Sequence, residues 1–195
     1  LYAKLPYDPA NDFAHVTQMV SFPLVLLVPA ASPLTGLKEL IEQARAKPGE
    51  LKYSSAGVGT SPHVFLEMMN LRAGIRTVPI HYKGGAPALV GMLAGEGDYT
   101  MFSVSTALGE LKAGRIRAIG VTSLNATPRL PNVPPISSVL PGYEGLTFHG
   151  LHAPAQTPRH VIVKLQQEVV KVLRRPEVTE RLDALAIDVS GTTTE

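Results

Sequence analysis

The chain of 195 residues is long enough for one large domain or two small ones with a sizeable hydrophobic core. Its net charge is only +2, and it lacks the clustered basic stripe that nucleic-acid binding requires. Its apolar runs are too short to span a membrane, and the absence of cysteine excludes thiol catalysis, disulfides and cysteine-based metal sites. The chain starts at Leu1 with neither a signal peptide nor an initiating methionine, which is typical of a processed protein.

Short strands and helices alternate through most of the chain. An apolar stretch over residues 16–30 predicts a buried strand, in which Pro23 marks a free edge or a junction between two strands. Apolar spacing and flanking Pro or Gly predict helices over residues 37–47, 62–73, 86–94 and 106–113. Strands are predicted between them, over residues 51–55, 77–82, 99–104 and 115–123. This alternation predicts an α/β fold with a mostly parallel sheet flanked by helices.

The chain changes character in its last third. Residues 124–145 are rich in Pro and Asn, which predicts a long connection stiffened by proline. We predict a strand, two helices and a short last strand beyond it, over residues 146–154, 157–174, 176–186 and 187–191. Three buried helix faces are also predicted: Leu37, Leu40, Ile41 and Ala44 in the first helix, Val64, Phe65, Met68 and Met69 in the second, and Val161, Leu165, Val169 and Leu173 in a later one.

The stretch SSAGVGTSPH, residues 54–63, joins a predicted strand to a predicted helix. Ser61 is a candidate N-cap with Pro62 as the first helical residue, so unpaired backbone N–H groups would gather there. Gly57 and Gly59 would let a ligand approach the backbone closely. A carboxylate or phosphate fits this arrangement, although the pattern is neither a Walker motif nor GxGxxG. From spacing alone, an anion site and a plain strand-to-helix turn stay equally open.

A second Gly-rich turn, HYKGGAP at residues 81–87, also leads from a strand into a helix. In a parallel sheet such turns gather at the carboxyl ends of the strands, where ligands bind. Lys83 lies in this turn, and a solvated surface charge is its simpler interpretation. Ser103 follows the next strand, where it can donate to a ligand, cap the following helix, or do both.

No motif in the sequence indicates a reaction mechanism. Neither GxSxG nor HExxH occurs, and acidic residues do not cluster with histidine. His149 and His152 are three residues apart in a predicted strand and would point to opposite faces, which disfavours a shared metal. His63 is the titratable residue of the first loop, and structural hydrogen bonding suits it better than a role as general base. We therefore predict no catalytic residue, metal or cofactor.

Several segments occur in one order through almost the whole chain: LPYDPANDFAHV, VPAASP, AKPGELKYSSAGVGTSPH, YKGGAPAL, LKAGRIRAIGVTS, LPNVPPI, LPGYEG and GLHAPAQTP. This ordered set resembles the periplasmic solute receptors of tripartite tricarboxylate transport systems, the TctC or Bug (Bordetella uptake gene) family. The resemblance implies a clamshell like the type II periplasmic binding proteins. Such a protein is not an enzyme: it captures a small carboxylate, an organic acid or amino acid, in the periplasm and delivers it to membrane permease subunits.

The resemblance also implies a set of ligand contacts, made largely by backbone N–H groups, hydroxyls and ordered waters. The first loop supplies most of them, and the second loop and the following strand supply the rest. The implied contacts are Ser55, Ala56, Gly57, Gly59, Thr60, His63, Tyr82, Lys83, Gly84 and Ser103.

The resemblance begins after the family's N-terminal part, which holds the other carboxylate-binding loop. Residues 30–147 are expected to form a nearly complete second lobe, the ligand-binding α/β domain. Residues 1–29 and 148–195 are expected to form hinge strands and a partial first lobe, whose open apolar face would be covered in a homo-oligomer. Two alternatives stay open: an α/β enzyme with an anionic substrate held at SSAGVGTSPH, and a truncated chain that binds no ligand.

Overall fold

The computed structural model describes residues 4–193, which fall into two compact units. The central unit runs from Pro23 to Leu146, and the terminal unit joins the residues up to Phe22 with those from Thr147 onward. Strand β1 (Phe13–Pro29) belongs to both units, because the division at Pro23 lies inside it. The lobe bounds expected from the resemblance, residues 30–147, stay a prediction.

The central unit is built on a mixed sheet with the strand order β3-β2-β4-β1-β5. The strands that follow β1 are β2 (Lys52–Ser55), β3 (Val78–His81), β4 (Tyr99–Ser103) and β5 (Ile116–Val121). Strand β2 runs parallel to β3 and β4, whereas β1 runs antiparallel to β4 and β5. The α/β class is confirmed, but a mostly parallel sheet was wrong at β1. A strand buried on both faces has the same continuous apolar pattern in either direction.

The helices of the central unit are α1 (Leu37–Ala46), α2 (Ser61–Ala73), α3 (Gly85–Leu93) and α4 (Val104–Lys112). In α2 the predicted inner face is only partly right, because Met69 is buried whereas Val64 is 45% exposed. Leu66 and Asn70 are buried in its place. Apolar residues occur all around this helix, so their spacing does not identify the buried side. The Pro-rich connection that follows β5 contains a 3₁₀ turn, Ile136–Ser138.

The core of the central unit surrounds the second half of β1. Residues 24–28 are at most 3% exposed, and Tyr53, Met101 and Ile136 are fully buried in the same unit. Complete burial of a Leu or Val side chain contributes about 1.5–3 kcal/mol relative to leaving it exposed. Gly120 shows how tightly the sheet is covered, because a Cβ there would lie 3.0 Å from Ile136.

The terminal unit contains β6 (Leu146–Pro154), α5 (Arg159–Leu173), α6 (Pro176–Ala184) and β7 (Asp188–Val189). Both β6 and β7 pair with β1. Its core cluster consists of Val16, Ala153 and Ile162. The predicted inner face of α5 is wrong at Leu165, which is 40% exposed, because Ile162 is the buried residue of that helix. Within residues 4–193 no helix combines the length and apolar character needed to cross a membrane.

Candidate functional site

The two Gly-rich loops lie side by side at one edge of the central sheet. Strands β2 and β3 are parallel neighbours, and their last residues, Ser55 and His81, are paired. The loops remain joined beyond the strands. The Tyr82 N–H donates to the Ser55 carbonyl at 2.9 Å, and the Gly84 N–H donates to the Ala56 carbonyl at 3.2 Å. The parallel pairing therefore brings together two loops that are separated in the sequence.

The first loop, residues 56–60, turns on two glycines. Gly57 has φ 128° and Gly59 has φ 80°, in the region that residues with a Cβ rarely adopt. A Cβ on Gly57 would also lie 3.3 Å from the Tyr82 carbonyl oxygen. Thr60 closes the turn, since its Oγ1 donates to the Gly57 carbonyl at 2.7 Å. Glycine is thus needed here for the shape of the backbone and for the close approach of the second loop.

Helix α2 opens directly from this loop. Its N-cap is Thr60, not Ser61 as predicted, and Pro62 lies in its first turn. Thr60 makes no side-chain capping bond because its hydroxyl is bound to Gly57. The Val64 N–H donates to the Thr60 carbonyl at 3.0 Å, so the N–H groups before Val64 have no acceptor within the helix. These donors and the positive end of the helix dipole suit a carboxylate.

Two histidines support the first loop from the side. The Gly59 N–H donates to His63 Nδ1 at 3.0 Å, and Ser55 Oγ lies 2.7 Å from His81 Nδ1. The two imidazole rings meet edge to face with their centroids 4.8 Å apart. Because His63 Nδ1 accepts an N–H, the neutral ring carries its proton on Nε2. Partial desolvation, and then the neighbouring His63, lower the pKa of His81, which favours the neutral form of its ring.

A polar network behind the histidines ties α2 to the sheet. The Tyr53 hydroxyl donates to Glu67 at 2.6 Å, and the Asn70 amide donates to the same carboxylate at 3.3 Å. Asn70 also bonds to Thr77, which accepts from the Tyr99 hydroxyl at 2.8 Å. The network holds the middle of α2 against β2. No sequence signal identified it, since each tyrosine fits an ordinary buried strand.

The second loop contributes backbone rather than side chains. Gly84, with φ 123°, is the N-cap of α3, and Lys83 is exposed. The side chain of Tyr82 is engaged elsewhere, because its hydroxyl donates to the Glu96 carboxylate. Its ring lies so close to Gly91 that a Cβ there would come within 2.2 Å of the hydroxyl oxygen. Any ligand contact by Tyr82 would therefore use its backbone.

Ser103 ends β4 at the same edge of the sheet, because β4 runs parallel to β2. It is the N-cap of α4, and its hydroxyl accepts from the Thr106 N–H at 3.3 Å. The hydroxyls of Ser105 and Thr106 each lie 2.9 Å from it. The predicted capping role is confirmed. The parallel strands thus bring all ten candidate contacts to one edge of the sheet.

The histidines of β6 do not form a metal site. His149 packs edge to face against Phe22 at 5.3 Å between centroids, whereas His152 lies beside His15 at 5.1 Å. Across the described part of the chain, no three His, Cys, Asp or Glu side chains are grouped so that they could hold a metal ion.

The mixed sheet, the paired Gly-rich loops and the helix starts define an α/β protein with a candidate anion-binding edge. The chain belongs to the tripartite tricarboxylate transporter receptor family, TctC, whose match covers residues 1–194. It is 39% identical over 192 residues to a UPF0065 protein encoded in the tcbD-tcbE intergenic region of a Pseudomonas species, a match that covers 97% of this chain and 57% of that protein. The resemblance identified from the sequence is therefore confirmed.

Two solved structures extend the comparison. Rpa4515 of R. palustris with adipate is 30% identical with a TM-score of 0.92, covering all (100%) of this chain and 65% of that one. MatC of Rhodopseudomonas palustris with bound malate is 27% identical with a TM-score of 0.87, covering 97% of this chain and 65% of that one. The chain thus spans less than two thirds of the length of these three proteins.

Proposed function

We propose that the protein is a receptor that captures a small carboxylate in the periplasm for a tripartite tricarboxylate transporter. The observation that carries the proposal is the pair of hydrogen-bonded loops at the ends of β2 and β3. Each loop has glycine at positive φ, and each leads into the start of a helix. The related structures with adipate and malate support this ligand class.

The chemistry of the loops favours carboxylate over a bulkier or cationic ligand. Glycines expose the backbone, and the helix starts of α2 and α3 direct N–H groups and partial positive charge to one place. Adipate and malate are both dicarboxylates, so we propose dicarboxylates as the first class to test. Lys83 is exposed beside the loops and would contribute long-range attraction rather than a fixed contact.

Among the candidate contacts we assign different roles to backbone and side chain. Ser55 and Tyr82 have side chains engaged with His81 and Glu96, so they would contribute through their backbone or through the shape of the loop. The proposed direct contacts are the backbone of Ala56, Gly57 and Lys83, with the hydroxyl of Ser103. Gly59, Thr60 and Gly84 already donate within the loops, so they would hold the shape of the loops.

The test is a thermal-shift titration with malate and adipate. A ligand at about a hundredfold excess over its Kd raises the free energy of unfolding by about 2.7 kcal/mol, which gives a clear increase in Tm. Gly59→Ala should abolish the shift. Gly95→Ala is the matched control, because the two glycines have φ 80° and 82° and a Cβ at Gly95 meets nothing within 4 Å. Both variants carry similar backbone strain, but only the first lies in the loop.

Two outcomes would reject the proposal. Unchanged affinity in Gly59→Ala would remove the loop from the site. No shift with any small organic acid would favour the alternative of a chain that binds no ligand.

The enzyme alternative needs His63 as a base, and the bond from Gly59 already occupies its Nδ1. The family match, to a transporter receptor, also disfavours the enzyme alternative.

We also propose that the terminal unit self-associates. Several of its large apolar side chains are exposed, namely Tyr7 at 48%, Phe13 at 45%, Leu165 at 40% and Val172 at 42%. Covering such a surface with a second copy would remove apolar area from water. Light scattering after size exclusion should give about twice the monomer mass at micromolar concentration. A clean monomer would contradict this part of the proposal and leave carboxylate binding untouched.

A further inference from the structure

In the first turn of α2, the side chain of His63 contacts the loop that precedes the helix. Gly59 donates its N–H to His63 Nδ1 at 3.0 Å, and this bond starts from the second of the two positive-φ glycines. Only an imidazole with a lone pair on Nδ1 can accept it. We propose that His63 is a positioning residue that holds the first loop in its binding shape, and that protonation of its ring releases the loop. This inference rests on the proposed function and adds pH control to the same site.

The groups packed around the His63 ring come from three elements. Tyr53 of β2 stacks on it at 6.5 Å, and His81 of β3 meets it edge to face at 4.8 Å. Glu67 follows on the same helix, and its carboxylate already accepts bonds from Tyr53 and Asn70. The bond between His81 and Ser55 can form whether or not His81 Nδ1 carries a proton, since the Ser55 hydroxyl can donate to Nδ1 or accept from it. The Gly59 bond has no such freedom, because an N–H can only donate.

Protonation of His63 would place two donors against each other. The Gly59 N–H and a protonated Nδ1 would face one another at the present 3.0 Å, so the bond would be lost and the turn would open. The backbone donors of the loop would then no longer point to one place. A cationic ring would also attract a carboxylate, which acts in the opposite direction. The two effects are separated by a variant that keeps the acceptor but does not titrate.

His63→Asn is that variant, because the asparagine Oδ1 takes the place of Nδ1 and accepts the Gly59 N–H at every pH. His63→Leu removes the acceptor and serves as the matched negative control. Affinities for malate and adipate are measured by calorimetry at about pH 8 and about pH 6, a range in which histidine titrates while carboxylates stay largely ionised. We expect the wild-type Kd to be about three- to tenfold higher at the lower pH than at the higher pH, because one hydrogen bond is lost.

We expect the Kd of His63→Asn to change by less than about twofold over the same range, and His63→Leu to bind weakly at both pH values. Tighter or unchanged wild-type binding at the lower pH would overturn the inference. Equal weakening of wild type and His63→Asn would also overturn it, because the response would then come from another group.

A ligand-free measurement keeps this inference separate from the proposed function. Long-range ¹H–¹⁵N spectra report which nitrogen of His63 carries the proton, and the Gly59 amide signal reports the loop. We expect the Nε2–H form at the higher pH and a Gly59 signal that follows the ring titration in wild type but not in His63→Asn. An Nδ1–H form would overturn the inference whatever the binding result. The expected spectra without binding of either acid would count against the carboxylate receptor and leave the His63 switch standing.

Discussion

The central and terminal units are made of the same kinds of elements but differ greatly in packing. In the central unit, residues 24–28 of β1 are at most 3% exposed, and fully buried side chains surround them. In the terminal unit the core cluster is Val16, Ala153 and Ile162, while Leu165 and Leu185 stay 40% and 38% exposed. The unit that carries the candidate site is therefore the one with a substantial core of its own.

This difference has a functional meaning. Backbone donors bind an anion well only when the loops that hold them are fixed by a rigid scaffold. The central unit supplies that scaffold through paired strands, the Tyr53–Glu67 bond and the histidines beside the loop. The described part of the terminal unit buries few apolar side chains, so we expect changes there to affect stability less.

The largest expected effect comes from a cavity in the central core. Leu26→Ala removes a fully buried side chain of β1 and should lower the free energy of unfolding by about 2–5 kcal/mol. Leu165→Ala is the matched change in the terminal unit and should cost about 1 kcal/mol or less, because that side chain is already 40% exposed. Urea unfolding followed by circular dichroism measures both. Equal losses would mean that the two units do not differ in packing as described.

Alkaline pH should weaken the central unit through its tyrosines. Burial raises the pKa of both Tyr99 and Tyr143. In the unfolded chain a tyrosine ionises at about pH 10, so their contribution is complete below that pH and is lost as the pH rises toward their folded values. The free energy of unfolding should fall by up to about 1.4 kcal/mol per pH unit for each tyrosine.

Urea unfolding at a series of pH values checks this slope. The double variant Tyr99→Phe, Tyr143→Phe should make the slope shallower, since neither position can then ionise. Part of the slope should remain, because burial also raises the pKa of Tyr53. If the double variant keeps the wild-type slope, groups other than Tyr99 and Tyr143 cause the loss in the free energy of unfolding at alkaline pH.

Two helical glycines test how tight the helix layer of the central unit is. Gly91→Ala places a Cβ against the Tyr82 hydroxyl and should cost about 1–3 kcal/mol as that ring is displaced. Gly109→Ala in α4 meets nothing within 4 Å and should stabilise the protein by about 0.4–1 kcal/mol. Thermal unfolding of the two variants should therefore move in opposite directions. Shifts of the same sign would contradict the close packing of Tyr82 on α3.

The smallest expected effect concerns the cap of α4. Ser103→Ala removes the acceptor for the Thr106 N–H and should cost about 1 kcal/mol, whereas Ser103→Asn keeps a capping oxygen and should cost only a few tenths. Thermal unfolding measures both changes. If Ser103→Asn retains stability but loses the thermal shift with malate, the Ser103 hydroxyl also contacts the ligand. If neither variant changes stability, the cap does not contribute to the stability of the protein.

Local features of the structure were predictable from the sequence. The buried face of α1, which is Leu37, Leu40, Ile41 and Ala44, was predicted because its apolar residues form one stripe and its charges another. Ser103 was predicted as a cap because a capping bond joins residues three apart. The α2 cap was misplaced at Ser61, since the choice of Thr60 depends on how the two glycines fold the loop.

The sequence by itself determined the order of the elements and the positions where only glycine or proline suits the backbone. It also showed the two Gly-rich turns at strand ends, because these features depend on neighbouring residues. Tertiary structure decided the direction of β1, the contact between His63 and His81 and the network from Tyr53 to Tyr99. Each of these depends on which strands pair and on how a side chain is oriented once they do. Such contacts form only when the whole sheet is assembled, so no local pattern specifies them.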